Sequence, residues 1–211
     1  MADRARAVAE ILAALSYGER RAAERAEQTV GLAPDERAKN AQRHVAQRER
    51  QNASLIEARL AELDAIEYAA AFRPFFDAFF ERTVPRDWLE GQTFHYIGDA
   101  LMSDFAEVLI PLLDPVSAVV VRQMSDRADQ EGFALDEVTR SIQGDGEAAE
   151  RVAAYARRII GEALTQTRRA LDETEAVRTL MGGEEAEKRL LLDLLQRHRG
   201  RLDRMGIEPV D

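Results

Sequence analysis

The sequence predicts an all-α fold, a bundle of long helices, on three observations. Ala, Arg, Glu and Leu dominate the 211 residues, and the 12 glycines and 6 prolines fall at a few places. Apolar residues recur at spacings of three and four, the period of one helix face. No segment alternates apolar and polar residues long enough to make a strand.

The elements follow in chain order. A first helix, about Ala5 to Gln28, carries Val8, Leu12, Leu15, Ala22 and Ala26 on one stripe. Gly31-Leu32-Ala33-Pro34-Asp35 is a loop followed by a helix start. The second helix, about Asp35 to Asp64, has Val45, Ile56, Leu60 and Leu63 on its stripe. Tyr68 to Thr83 holds Phe72, Phe75, Phe76, Phe79 and Phe80 and reads as a short aromatic helix or crossover over the core. Val84-Pro85-Arg86-Asp87 starts a third long helix, which runs to about Ile110, where Pro111 interferes. Asp114-Pro115 is an N-cap with a first-turn proline, opening a fourth helix to about Ile142. A fifth, about Glu147 to Leu180, ends at Gly182-Gly183, and a sixth spans about Glu184 to Met205. The expected architecture is one domain over residues 1–211. It has a core bundle at about 5–142 with a crossover segment, and two additional C-terminal helices at about 147–205.

Composition narrows the function. Lys+Arg is 29 against 39 Asp+Glu, a net charge of -10, which argues against a generic electrostatic grip on nucleic acid and leaves room only for a local basic patch. There is no cysteine, which excludes disulfides, thiolate-bound metal and thiol catalysis. Apolar runs such as Val108 to Leu113 are too short to span a bilayer, and Met1 to Glu10 has no uninterrupted apolar stretch, so the expected location is the cytoplasm, without a membrane partner.

The informative residues interrupt the apolar stripes. Glu19 follows Leu12 and Leu15 on the first helix, among Ser16, Gly18, Ala22 and Ala23, whose small size favours close helix approach. Glu49 and Asn52 lie between Val45 and Ile56 on the second. Asp104 lies between Leu101 and Val108 on the third, where Asp99 competes with it for the inward face. Glu131 stands four residues from both Arg127 and Leu135 on the fourth. The competing reading is a solvated acidic face. Buried carboxylates that cluster need positive charge, and either metal ions or an arginine supplies it. Arg127, beside Glu131, is placed to bridge Glu19 and Glu49 with a bidentate fork.

The order of these landmarks resembles the ferritin-like superfamily. More closely, it is similar to the bacterial group related to the tRNA 2-methylthio-N6-isopentenyladenosine hydroxylase. The matching stretches are Leu15-Ser16-Tyr17-Gly18-Glu19-Arg20, Glu49-Arg50-Gln51-Asn52 running into Arg59 to Leu63, Asp87-Trp88-Leu89-Glu90-Gly91, Tyr96-Ile97-Gly98-Asp99, Ser103-Asp104-Phe105 and Arg157 to Leu164. The resemblance implies a ferritin-like four-helix bundle with added helices. In active members it implies two iron ions that activate O2 for hydroxylation, and a tRNA or small apolar substrate. The implied ligands are a Glu on the first helix, Glu-x-x-His on the second, a carboxylate on the third and a second Glu-x-x-His on the fourth. Glu19, Glu49, Asp104 or Asp99, and Glu131 match the carboxylates. Asn52 stands where the first histidine belongs, and Gln130, Glu131 and Gly132 occupy the region of the second pair.

A carboxamide is a much weaker iron ligand than imidazole. Two expectations follow. One is a divergent protein whose standard di-iron site is incomplete or lost, with no cofactor and with Arg127 neutralising the carboxylates. The other is an O2-dependent metal hydroxylase with an atypical carboxylate-rich site, in which Asn52 or His95 completes the shell. His95 lies four residues before Asp99 and shares a face with it. The phenylalanine-rich stretch reads as core packing ahead of a substrate channel. The leucine-rich face of the sixth helix serves either the bundle or a homodimer, and periodicity does not choose between them.

Overall fold

The computed structural model describes residues 2–207. Its helices are α1 (Ala2–Val30), α2 (Glu36–Glu62), α3 (Arg73–Arg82), α4 (Trp88–Leu109), α5 (Pro115–Met124), α6 (Ala128–Ile142), α7 (Gly146–Glu173), α8 (Ala176–Met181) and α9 (Glu184–Arg204). Short 3-10 segments lie at Ile66–Ala71 and Ile110–Leu112. Among the described residues there is no strand, and no helix is long and apolar enough to cross a membrane.

Aspartates start four of these helices. Asp35, Asp87, Asp114 and Asp145 each accept a hydrogen bond from a first-turn backbone N–H, satisfying donors that the helix itself leaves free. At α4, Asp87 accepts from Glu90 N at 2.9 Å, and Glu90 Oε2 accepts from Arg86 N, the residue before the cap, at 2.8 Å. Each cap contributes about 1 kcal/mol. Gly182 closes α8 at φ 88°, a left-handed conformation that glycine adopts without steric cost.

The helices α1 and α2 form an antiparallel hairpin, the most extensive helix pairing in the molecule. It is packed through Ala26, Val45 and Ala46. The crossover runs through the 3-10 turn and α3 to α4, the most buried of the long helices, where sixteen residues from Glu90 to Leu109 are buried. α6 and α7 pack on α4, α5 packs on α2, α8 on α1, and α9 on α4 and α8. Leu190, Leu194 and Leu202 of α9 are buried on this body, while Leu192 is 65% exposed.

Two of the expected rods are divided. The fourth predicted helix is α5 and α6, separated at Ser125–Arg127, a stretch without glycine or proline. Arg127 sits there at φ -126°, ψ 13°, ahead of the first residue of α6, and is buried. Its tertiary hydrogen bonds outweigh local helix propensity. The fifth predicted helix is α7 and α8, divided at Thr174, whose backbone is extended and whose hydroxyl bonds back to Ala170 O at 2.7 Å.

Candidate functional site

Along α1, apolar residues surround one polar position. Leu12 and Leu15 belong to one core cluster, Ala22 to another, and Glu19 lies between them. Along α2, Glu49 and Asn52 lie between Val45 and Ile56. Glu19 and Glu49 are both 0% exposed, so water compensates neither carboxyl group.

Their compensation is Arg127, 3% exposed. Its Nη1 donates to Glu49 Oε1 at 2.6 Å and its Nη2 to Glu49 Oε2 at 3.0 Å, a bidentate fork. Nη2 also donates to Glu19 Oε1. Gln130 Nε2 donates to Glu49 Oε1 at 2.8 Å, and Asn52 Nδ2 donates to Glu19 Oε2 at 2.9 Å. Every oxygen of the two carboxyl groups therefore has a donor. Asn52 and Gln130 thus meet the carboxyl groups with amide N–H donors.

The two carboxyl groups respond differently. Burial pushes Glu19 well above the usual carboxylate range; Arg127 opposes the rise, and the neighbouring Glu49 adds to it. Burial also acts against ionised Glu49, but the Arg127 charge and the donors from Gln130 and Arg127 outweigh it and pull Glu49 down to about 2. Burial thus favours the protonated form of Glu19, and Arg127 the ionised form of Glu49.

Asp99 lies beside this cluster on α4. It is buried, and its charge helps hold Arg127 protonated, after the larger contributions of Glu19 and Glu49. Asp99 Oδ2 is 2.7 Å from His95 Nδ1. Gln92 Nε2 donates to Gln42 Oε1 at 3.0 Å, which turns Gln42 Nε2 toward His95 Nε2 at 2.7 Å. His95 Nε2 is then the acceptor, and Nδ1–H donates to Asp99. His95 orients a carboxylate and spends both ring nitrogens on protein partners.

Asp104 and Glu131 are not at the centre, which corrects the expectation that four helices each point a carboxylate there. Asp104 is five residues beyond Asp99, about 140° further round α4. It faces α9, where Arg201 donates to it at 2.5 and 2.9 Å and Arg197 at 3.4 Å. Glu131 is half-buried. Burial raises its pKa, and Arg201 is the leading opposing charge. Its expected face assumed a continuous helix through Arg127, and the break before Ala128 removes that register.

Gln130, Gln42 and Gln92 complete the network; Gln130 lies in the region of the second implied ligand pair, whereas Gln42 and Gln92 were not singled out in the sequence. Gln42 stands seven residues before Glu49 on the stripe that continues through Val45 to Asn52, so the spacing carried the signal. The five phenylalanines of residues 72–80 do more than fill the core. All of them line a cavity of about 150 Å³ that also touches Glu19, Asp99 and Arg127.

A guanidinium therefore occupies the space between the two glutamates, where a pair of metal ions would need open carboxylate oxygens. Among the described residues, no three His, Asp or Glu side chains are grouped so as to hold a metal ion. In comparison with known proteins, the family described as "Ferritin-like domain, actinomycetes" matches residues 2–184. No curated protein matches the chain.

Proposed function

The chain belongs to the actinomycete ferritin-like domain family, and from that premise we propose that it is a divergent relative of the di-iron tRNA-modifying hydroxylases in which an internal arginine has taken over the role of the metal. In this reading the protein is a non-redox ferritin-like scaffold that needs no iron to fold. The observation that carries it is the Arg127 fork: one side chain saturates Glu49 and bonds Glu19 in the same plane of the bundle.

The chemistry of the donor set supports the same reading. Asn52 and Gln130 present N–H groups to the carboxyl oxygens, the polarity opposite to that of a metal ligand. A cation entering this site would have to displace Arg127, whose charged form is favoured by its acidic neighbours Glu19, Glu49 and Asp99.

The alternative, an active hydroxylase with an atypical site, draws on Asp99 lying beside Arg127 with His95 behind it. Metal analysis separates the two. Protein purified from cells supplied with iron is expected to carry substoichiometric metal and to show no rise in melting temperature on adding Fe(II), Mn(II) or Zn(II), because a native-state ligand would raise it. Two irons per chain would refute the scaffold reading.

A further inference from the structure

Five of the seven large hydrophobic side chains exposed among the described residues stand on α2, on α5 or just past α2. Leu55 belongs to α2, Leu63 and Ile66 follow it, and Val116 and Val119 belong to α5. Hydrogen bonds fix how the two helices run past each other. Arg59 donates to Ser117 Oγ and to Asp114 Oδ1, both at 3.1 Å, at the start of α5. Asn52 Nδ2 donates to Met124 O at 3.4 Å, at its end. α5 therefore lies antiparallel along the second half of α2, with Val116 at the Arg59 end. Apolar side chains exposed singly need no explanation, whereas a cluster rimmed by polar groups marks an interaction surface.

The charges around this cluster are ordered. Arg48, Leu55 and Glu62 follow one another at intervals of seven, close to two helix turns, so they form one row along α2. Leu55 and Glu62 are exposed and Arg48 is half-buried, and Gln51 and Ala58 are exposed beside the row. The row is basic at one end, uncharged in the middle and acidic at the other end, over about 21 Å. Its surroundings repeat that order: Arg122 of α5 is exposed toward the Arg48 end, and Asp64 and Glu67 are exposed beyond Glu62. Among the described residues neither Arg48 nor Arg122 has an acidic partner, unlike Arg50, which pairs with Glu27. Glu62 gives Oε2 to Arg59 of its own helix at 2.8 Å and leaves Oε1 without a partner among the described residues.

We propose that a second copy of this chain covers this face, the two α2 helices lying antiparallel about a two-fold axis at Leu55. A row with opposite charges at its ends is its own complement under that rotation. Arg48 of each protomer then meets the partner's Glu62, and Leu55 meets the partner's Leu55 on the axis. Parallel pairing would set arginine against arginine and glutamate against glutamate. A partner of uniform charge would meet a like charge at one end. The interface is independent of what fills the centre.

Sedimentation velocity of the full chain tests this over about 1–100 μM protein, a range that resolves micromolar dissociation constants. A reversible monomer–dimer equilibrium is expected. Leu55→Glu sets two like charges face to face on the axis and is expected to weaken the dimer at least about tenfold. Arg48→Glu and Glu62→Arg are each expected to weaken it as well, because each turns two opposite-charge contacts into two like-charge ones. An equimolar mixture of those two variants is expected to dimerise again, since every contact between the unlike chains then joins opposite charges. Circular dichroism melts check that each variant is folded; if Leu55→Glu does not fold, the charge reversals and their mixture carry the test. A wild-type chain that stays monomeric over the whole range, a dimer indifferent to all three changes, or a mixture that associates no more tightly than its components would overturn the proposal. So would a dimer broken by Leu192→Glu on α9 and not by Leu55→Glu.

Discussion

Two buried arginine–carboxylate clusters stand on different sides of this bundle, and they are balanced in opposite ways. At the centre, two glutamates from α1 and α2 share one arginine from the α5–α6 break. At the α4–α9 contact, one aspartate takes two arginines, Arg201 and Arg197, from a single helix. The first cluster has more acid than base, and burial pushes Glu19 toward its protonated form. The second has more base than acid, and Arg197 spends its surplus on Glu107 and Asp193 near the surface. The first is sealed and the second reaches solvent. An internal charge without water depends on a single partner, whereas one near the rim has substitutes.

That difference ranks the consequences of breaking each. Arg127→Ala leaves Glu19 and Glu49 buried without their counter-charge, and chemical denaturation is expected to show a loss of about 3–5 kcal/mol. Replacing the whole cluster, with Glu19→Leu, Glu49→Met and Arg127→Met together, is expected to recover most of that loss, because buried ion clusters exchange for apolar packing at little net cost. Arg201→Ala is expected to cost less, about 2–3 kcal/mol by the same measurement, because Arg197 remains beside Asp104. Equal losses at the two sites would dissolve the contrast.

The smallest expected effect is on pH dependence and arises beside the α9 cluster. His198 is buried, and burial, reinforced by Arg201, pushes its imidazole down to about 4. Its unfolded value is about 6.5. Between these values the unfolded chain binds the additional proton, so stability falls as pH drops from about 6.5 to about 4. His198→Gln is expected to flatten that interval in urea melts. Glu49 acts in a separate, more acidic window. Its folded value is held down near 2, so its contribution is present above about 4.3 and is lost as pH falls toward 2. Glu19 works in the other sense: its raised value means the fold holds its proton, and stability is lost as pH rises through that value.

Much of the architecture was legible because it rests on local rules. Asp35, Asp87 and Asp114 mark helix starts by capping chemistry, and the i, i+3, i+4 pattern places Leu12, Leu15, Ile56 and Ile97 in the core. The inward carboxylates of α1 and α2 followed from the same pattern because those helices run unbroken past Glu19 and Glu49. The α5–α6 break was not legible, since Ser125-Asp126-Arg127 contains no residue that ends a helix by its own preference. The break exists because Arg127 finds its partners across the bundle, at sequence separations of 78 and 108 residues. Asp104 was misplaced for a related reason. The helix that claims it, α9, lies ninety-odd residues downstream, and periodicity on α4 does not reveal which neighbour covers which face.

In the reading proposed here, Arg127 and not metal holds Glu19 and Glu49 together. Diffraction at the iron absorption edge from crystals soaked in Fe(II) without oxygen addresses it most directly. A guanidinium bridging the two glutamates, with no anomalous peak within bonding reach of either, is the expected result. Two peaks about 3.5–4 Å apart between the glutamates, with Arg127 swung aside, would contradict it.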